Sequence, residues 1–338
     1  VRYLFISDLH LDARTAGVPR FEELSDSLEL TCEQAAVLKV DQIVFAGDLC
    51  DPGMGAHRCV ARAIRFAEQA PVPSIWVTGN HDVVEDGTGA STLDPIGAAG
   101  YSVISQPDVT CSGEVLWLPF TARALAYDPS AIVEQTAEFG SGVRLVVGHL
   151  NLKGITPGSE TTSMPRGREV FWPVDKIKAC LPQALAIGGH YHKAQFYKGV
   201  EIIGSSARLN FAEEDSEPRL LVADTDSRTT KLESHKLPAR RVFSLSASEL
   251  DQAKPGDIVR VVLANDENVE LAESALRAAG IDGTVSSKEY QPAAPVAEDR
   301  DSFADVARAL AATWQFGDED LEAELRKLVD VAIDEAAA

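Results

Sequence analysis

The stretch LFISDLHLD, Leu4 to Asp12, begins as an apolar strand and then sets Asp8 and His10 two residues apart where the apolar run stops. Open α/β sheets bind ligands outside the carboxyl ends of their strands. A strand that ends in a carboxylate and an imidazole is therefore a candidate piece of a ligand-binding rim. In an extended chain a two-residue spacing puts both side chains on one side, toward one ion. The same construction returns further along. The apolar run 42–46 leads into GDLCD, with Asp48 and Asp51, and the run 74–78 leads into GNHD, with Asn80, His81 and Asp82. The run 143–148 ends at His149, and 184–188 leads into GHYH, with His190 and His192. Gly47, Gly79, Gly148 and Gly189 mark these junctions, where sharp turns and close backbone approach are needed.

Helical periodicity separates the strands: 21–40, with Leu24, Leu28 and Ala35 on one stripe, then 57–70, 129–139 and 174–181. The strand runs are apolar without alternation, which expects burial on both faces and an α/β layered core. Residues 219–237 read as a hairpin turning near Asp226–Ser227, and 256–264, 268–280 and 283–290 read as a small strand–helix–strand unit. A linker rich in Pro, Ala and acid (291–301) precedes two helices, roughly 302–315 and 318–337. The expected organisation is a main domain over 1–240, a small α+β unit over 241–290, and a linker with C-terminal helices over 291–338.

Composition narrows the class. The 338 residues are 45% hydrophobic and 25% charged, ordinary for a globular protein. No apolar run reaches the roughly 18 residues of a membrane span, and no leader is expected ahead of the first strand. The five cysteines show no CxxC spacing, which fits a reducing, cytoplasmic setting. The net charge is −21: residues 1–210 carry 17 Lys and Arg against 24 Asp and Glu, and residues 211–338 carry 14 against 28. Nucleic-acid affinity is largely cationic, so a protein this acidic would need bound metal ions or a partner to grip a phosphate backbone.

The donor set is made of oxygen and nitrogen without thiolate, which suits manganese, iron or catalytic zinc. Its histidines disfavour a magnesium-only site. Asp8, His10, Asp48, Asn80, His149, His190 and His192 exceed the usual complement of one ion, so two divalent ions are expected. Two ions held close together generate a hydroxide at neutral pH and clamp a phosphate for in-line displacement. Any one of these histidines alone would be read as an ordinary surface or core residue. Asp12 reads as a loop-capping residue, Asp82 as a holder of its own loop, Cys50 as a buried thiol and His57 as the start of a helix.

The ordered set resembles the calcineurin-like metallophosphoesterases, whose pattern is D-x-H, G-D-x-x-D/H, G-N-H-D/E, G-H and G-H-x-H; all five occur in order over residues 8–192. The resemblance implies a layered β-sandwich flanked by helices. It implies that Asp8, His10 and His192 hold a first ion, that Asn80, His149 and His190 hold a second, and that Asp48 bridges both. His81 would protonate the leaving oxygen or steady the phosphate, and Asp51 would orient His81. Residues 193–226 and the unit at 256–290 are similar to the corresponding parts of SbcD-type DNA-repair nucleases, relatives of the nuclease subunit in MRN complexes. That narrower resemblance implies a manganese-dependent DNA exonuclease or endonuclease of repair and recombination. It also implies a homodimer, with the 241–290 unit as a cap and the terminal helices docking an SbcC-like coiled-coil ATPase. The alternative is a small-substrate phosphodiesterase or nucleotide pyrophosphatase on the same fold, against which the long extension past residue 210 weighs. A Ser/Thr phosphatase is disfavoured because Pro52–Gly53 and Val83–Val84 stand where that subfamily places its arginines. A non-catalytic scaffold is disfavoured because every ligand position is filled.

Overall fold

Strand β1 (Arg2–Ile6) is buried along almost its whole length and divides its side chains between two cores. In the computed structural model the described residues are 1–51, 55–84, 90–106, 108–109, 114–120, 128–138, 142–156, 171–226, 230–264 and 268–287. After β1 comes a short ribbon of β2 (Arg14–Thr15) and β3 (Val18–Pro19), then α1 (Phe21–Val37), β4 (Gln42–Phe45), α2 (Ala56–Gln69) and β5 (Ser74–Val77). The chain continues through α3 (Asp94–Ala98), β6 (Ser102–Ile104), β7 (Asp108–Val109), β8 (Val115–Leu118), α4 (Pro129–Glu138) and β9 (Leu145–His149). Next are α5 (Val174–Cys180), β10 (Leu185–Gly189), β11 (Gln195–Tyr197), β12 (Val200–Ile202), β13 (Arg219–Asp224) and β14 (Lys231–Lys236). The last described elements are β15 (Val242–Ser246), β16 (Ile258–Leu263), α6 (Val269–Ala279) and β17 (Asp282–Ser287).

Two six-stranded sheets form the body, in the orders β14-β13-β1-β4-β5-β6 and β11-β12-β10-β9-β8-β7. In the first, β1, β4, β5 and β6 run parallel; in the second, β8, β9, β10 and β12 do. The period of two in each strand sorts the apolar side chains into layers. Tyr3, Phe5, Val44, Ala46 and Val77 meet Trp117, Leu145, Val147 and Ile187 between the sheets. Leu4 and Ile6 point the other way, onto Leu24 and Leu28 of α1 and Ala63 and Phe66 of α2. Across the second sheet, Leu116 and Val146 pack on Val133 of α4 and Ile177 of α5. Each fully buried Leu or Phe contributes about 1.5–3 kcal/mol relative to exposure. The expected sandwich with flanking helices follows from central strands that have no exposed face.

A third, all-parallel sheet, β15-β16-β17, has its own small core of Val259, Val261 and Leu263 under Ala272 and Leu276 of α6. Asn268 caps α6 by accepting the Leu271 N–H, and Gly280 ends it in the left-handed conformation that glycine adopts without strain. The sequence pattern predicts strand–helix–strand here, and the sheet contains a further strand, Val242–Ser246. The expected linker and terminal helices, 291–338, lie outside the described residues, as does part of the 226–230 turn. Among the described residues no helix is long and apolar enough to cross a membrane.

Candidate metal centre

The parallel strands β1, β4, β5, β9 and β10 deliver all the expected site residues to one rim. Backbone pairing outlasts the strands: Asp8 N–H donates to Gly47 O at 3.0 Å and His10 N–H to Asp48 O at 3.1 Å. Strand geometry itself ends at Ile6. Asp8, His10, Asp48 and His190 all adopt positive φ, at 51°, 41°, 57° and 94°. Non-glycine residues rarely do so, and such strain gathers at functional sites. The expected reason for the shared direction of Asp8 and His10, alternation along a strand, is thus replaced by a left-handed turn at each residue. Both side chains still join one cluster.

The side chains fall into two main groups. Asp8, His10 and His192 form one; Asp48, His149 and His190 form the other, and all six are buried. Within each group the potential ligand atoms lie within 4.8 Å of one another. His10 Nε2 and His192 Nε2 are 3.2 Å apart, as are His190 Nδ1 and His149 Nε2. Asn80 Oδ1 sits 2.8 Å from His149 Nε2 and 2.9 Å from His190 Nδ1, which adds it to the second group. Asp48 lies between the groups, with Oδ2 3.6 Å from His10 Nε2 and 3.3 Å from His149 Nε2. Nitrogen and oxygen atoms aimed at common points this closely suit divalent cations. The donor chemistry fits Asp8, His10 and His192 around one ion and Asn80, His149 and His190 around another, with Asp48 shared.

The electrostatics agree. Burial pushes His10 and His190 down to about 3, so both are neutral imidazoles, the form that binds metal. Burial raises Asp8 to about 6. Burial also opposes charge on Asp48, but the neighbouring His149 and His10 hold its carboxyl well below the usual range. His149 is the counterpart: burial pulls it down, yet the charge and hydrogen bond of Asp48, with the Asp8 charge and the Ala46 carbonyl, together lift it to about 9. In the metal-free protein, then, a proton on His149 answers the Asp48 charge, and an ion would take that proton's place.

The close fit depends on glycines. A Cβ on Gly79 would overlap the Asp48 carboxylate and backbone, and one on Gly47, at φ +102°, would overlap the His149 ring. Behind the ligands, Asp82 is fully buried and accepts from Asp48 N–H (2.9 Å), Leu49 N–H (2.9 Å) and Gly79 N–H (2.8 Å). It fastens the Asp48 loop to the Asn80 loop and is not in either ligand group. Asp82→Ala would leave three inward-facing N–H groups without this acceptor. We expect a loss of about 3–5 kcal/mol in urea unfolding of the metal-free protein. A loss under about 1 kcal/mol, the size of one ordinary hydrogen bond, would show that the loops hold together without it.

His81 lies at the mouth. Its N–H donates to Asp48 Oδ1 at 2.9 Å, and its Nδ1 meets Asp51 Oδ1 in a very short contact. Its ring packs edge-on to His10 at 4.9 Å. Burial lowers the His81 pKa, but Asp51 and Asp48 more than reverse this and raise it. Asp51 is itself lowered by its bond to His81. Asp12 accepts the Asp51 N–H at 3.2 Å and so shapes that loop. His57 lies in the first turn of α2, and Cys50 is buried. One contact carries no signal in the sequence motifs: the buried Glu213 accepts from His192 Nδ1 at 2.8 Å.

A family model for calcineurin-like phosphoesterases matches residues 1–194 of the 338, and the chain belongs to that family. Among solved structures it is similar to a dimetal phosphatase from Danio rerio, at 11% identity over 70% of this chain and 96% of that one, with a TM-score of 0.43. It is also similar to the protein TT1561 of Thermus thermophilus, at 16% identity over 70% and 98% of the two chains and a TM-score of 0.40. The purple acid phosphatase PPD1 from yellow lupin (Lupinus luteus) seeds shares 16% identity over 70% of this chain and 51% of its own, with a TM-score of 0.41. Among curated proteins, none matches the chain. The fold is of the metallophosphoesterase type, and the site is that of a metal-dependent phosphoesterase.

Proposed function

We propose that the chain is a two-metal phosphodiesterase that cleaves DNA, as the nuclease subunit of an SbcCD-like complex. The hydrolytic half of this reading is carried by the two ligand groups that meet across Asp48. Bound divalent ions lower the pKa of water and neutralise charge on a phosphate. Around them, Asp48 spans the two groups, Asp8, His10 and His192 fix the first position, and Asn80, His149 and His190 fix the second. His81, held by Asp51, stands where it can give a proton to the departing oxygen. Asp51 holds its Nδ1 and so fixes the orientation of the ring.

The DNA half is supported by the region beyond the family match. The three-stranded sheet of residues 242–287 is an addition of the kind that SbcD-type nucleases use as a cap, a likeness of layout. The acidic surface suits a subunit that meets DNA through its ions and a cationic ATPase. Manganese as the native metal, a homodimer, a cytoplasmic setting and partner docking by 291–338 belong to the same proposal. The test is hydrolysis by the full chain loaded with Mn²⁺, with and without its ATPase. Substrates are linear duplex DNA, single-stranded DNA, bis(p-nitrophenyl) phosphate and cyclic nucleotides. Cleavage of either DNA supports the reading. Turnover of the small esters alone would replace it with the small-substrate alternative.

A further inference from the structure

Ligand histidines are oriented by what accepts the proton on their other nitrogen. In the second group, His149 Nδ1 donates to the Ala46 carbonyl at 3.0 Å. In the first group, the acceptor behind His192 is a carboxylate, Glu213 Oε1 at 2.8 Å. Glu213 has no solvent exposure, and its other oxygen accepts the Leu209 N–H at 2.7 Å. A buried carboxylate without such donors would be costly, and here both oxygens are engaged.

The turn that carries Glu213 is fastened from outside. Residues Phe211–Glu213 form a 3₁₀ turn, and the Asn210 side chain caps it by accepting the Ala212 N–H at 2.7 Å. The third sheet lies against this turn: Ser244 N–H of β15 donates to Glu214 Oε2 at 3.1 Å, and the Arg260 guanidinium of β16 stands 4.7 Å from the Phe211 ring centre. One turn therefore offers Glu213 inward to His192 and Glu214 outward to the small sheet.

We infer that Glu213 is a positioning residue for the first ion, fixing His192 with its proton on Nδ1 and its Nε2 lone pair aimed into the Asp8–His10–His192 group. The inference rests on the two-ion reading of the site and is independent of which phosphodiester is cleaved. A carboxylate behind the ring makes the imidazole a stronger donor than a neutral carbonyl does. The two ion positions are thus built with unequal support, and removing the Glu213 charge acts on one of them.

The experiment is metal binding by Glu213→Gln in the full chain, read with Mn²⁺ alone by calorimetry and electron paramagnetic resonance. Glutamine can keep its carbonyl on the Leu209 N–H, but its amide then donates toward His192 Nδ1 and drives the ring proton onto Nε2. One Mn²⁺ is expected to bind about 10–100-fold more weakly while the other keeps its affinity. The coupled two-ion signal should give way to that of a single ion at intermediate metal. Equal weakening of both ions, or of neither, overturns the inference. An independent measurement needs no variant: long-range ¹⁵N spectra of the metal-free wild type should show His192 protonated on Nδ1, and a ring with its only proton on Nε2 would overturn the inference just as directly. Neither readout involves DNA, so loss of the nuclease reading would leave this result standing.

Discussion

Asp48→Asn is expected to lower phosphodiester hydrolysis by about three to four orders of magnitude, the largest effect of any single change in the site. Charge stabilisation by bound ions is worth several kcal/mol, and each 1.36 kcal/mol is a factor of about ten. Asp48 is the carboxylate that lies between the two ligand groups. Its Oδ2 faces His10 and His149 from opposite groups, and its Oδ1 takes the His81 N–H. Asparagine is nearly the same size, so the packing against Gly79 survives. It can keep the His81 bond through its carbonyl oxygen. What it presents to His10 and His149 is then an uncharged amide with hydrogens in place of a lone pair. An ion at either position would then lose a ligand and its share of the negative charge. Kinetics on bis(p-nitrophenyl) phosphate and metal content per chain should therefore fall together. A variant that still holds two ions tightly and turns over at the wild-type rate would remove Asp48 from the bridging role.

The same substitution has a signature without metal. Burial draws His149 down, and Asp48, the main raising group, lifts it with Asp8 and the Ala46 carbonyl to about 9. With that charge gone, burial dominates, and the His149 titration should move to lower pH. Nuclear magnetic resonance of the metal-free variant would report this. A His149 titration that stays near 9 would mean that another group supplies the compensating charge.

How much of this centre is legible in the sequence depends on how local each feature is. His149 ends its strand, and Asp8, His10, Asp48, Asn80, His190 and His192 each follow one within a few residues, so finding the strands finds the rim. The sandwich is equally legible, because strands such as Phe5–Ile6 and Val146–Val147 are apolar at consecutive positions and so face two cores. Backbone handedness is not legible. Nothing about an aspartate or a histidine announces φ > 0, and at Asp8 and His10 it is imposed by continued pairing with Gly47 and Asp48. Glu213 is hidden for another reason. It sits in a run of three acids, Glu213, Glu214 and Asp215, and only the turn decides which one goes inward. Strand β15 is obscured by its own composition: Phe243, Ser244 and Ser246 are only partly buried, so the apolar run that marks the other strands is absent.

His81→Asn is expected to lower kcat by about 10²–10⁴-fold, the usual contribution of a positioned general acid, while both ions stay bound. The distinction from Asp48 lies in that second clause. The His81 ring is hydrogen-bonded to Asp51 and sits at the mouth, outside the two main ligand groups. The pH profile separates a proton donor from a mere space-filler. A general acid works when protonated, so activity measured at saturating metal should fall as pH rises through the His81 pKa. Burial draws that pKa down, and the hydrogen bond to Asp51, with the charges of Asp48 and Asp51, raises it above the ordinary histidine value. Asp51→Asn removes the hydrogen-bonded charge and leaves burial and Asp48 in place. The alkaline limb should therefore shift to lower pH in Asp51→Asn and vanish as a His81 titration in His81→Asn. The acidic limb, set by proton competition for the metal ligands, should stay where it is in both. An alkaline limb unmoved by Asp51→Asn would mean that the fall reports another group, and that His81 acts by steadying the phosphate without passing a proton.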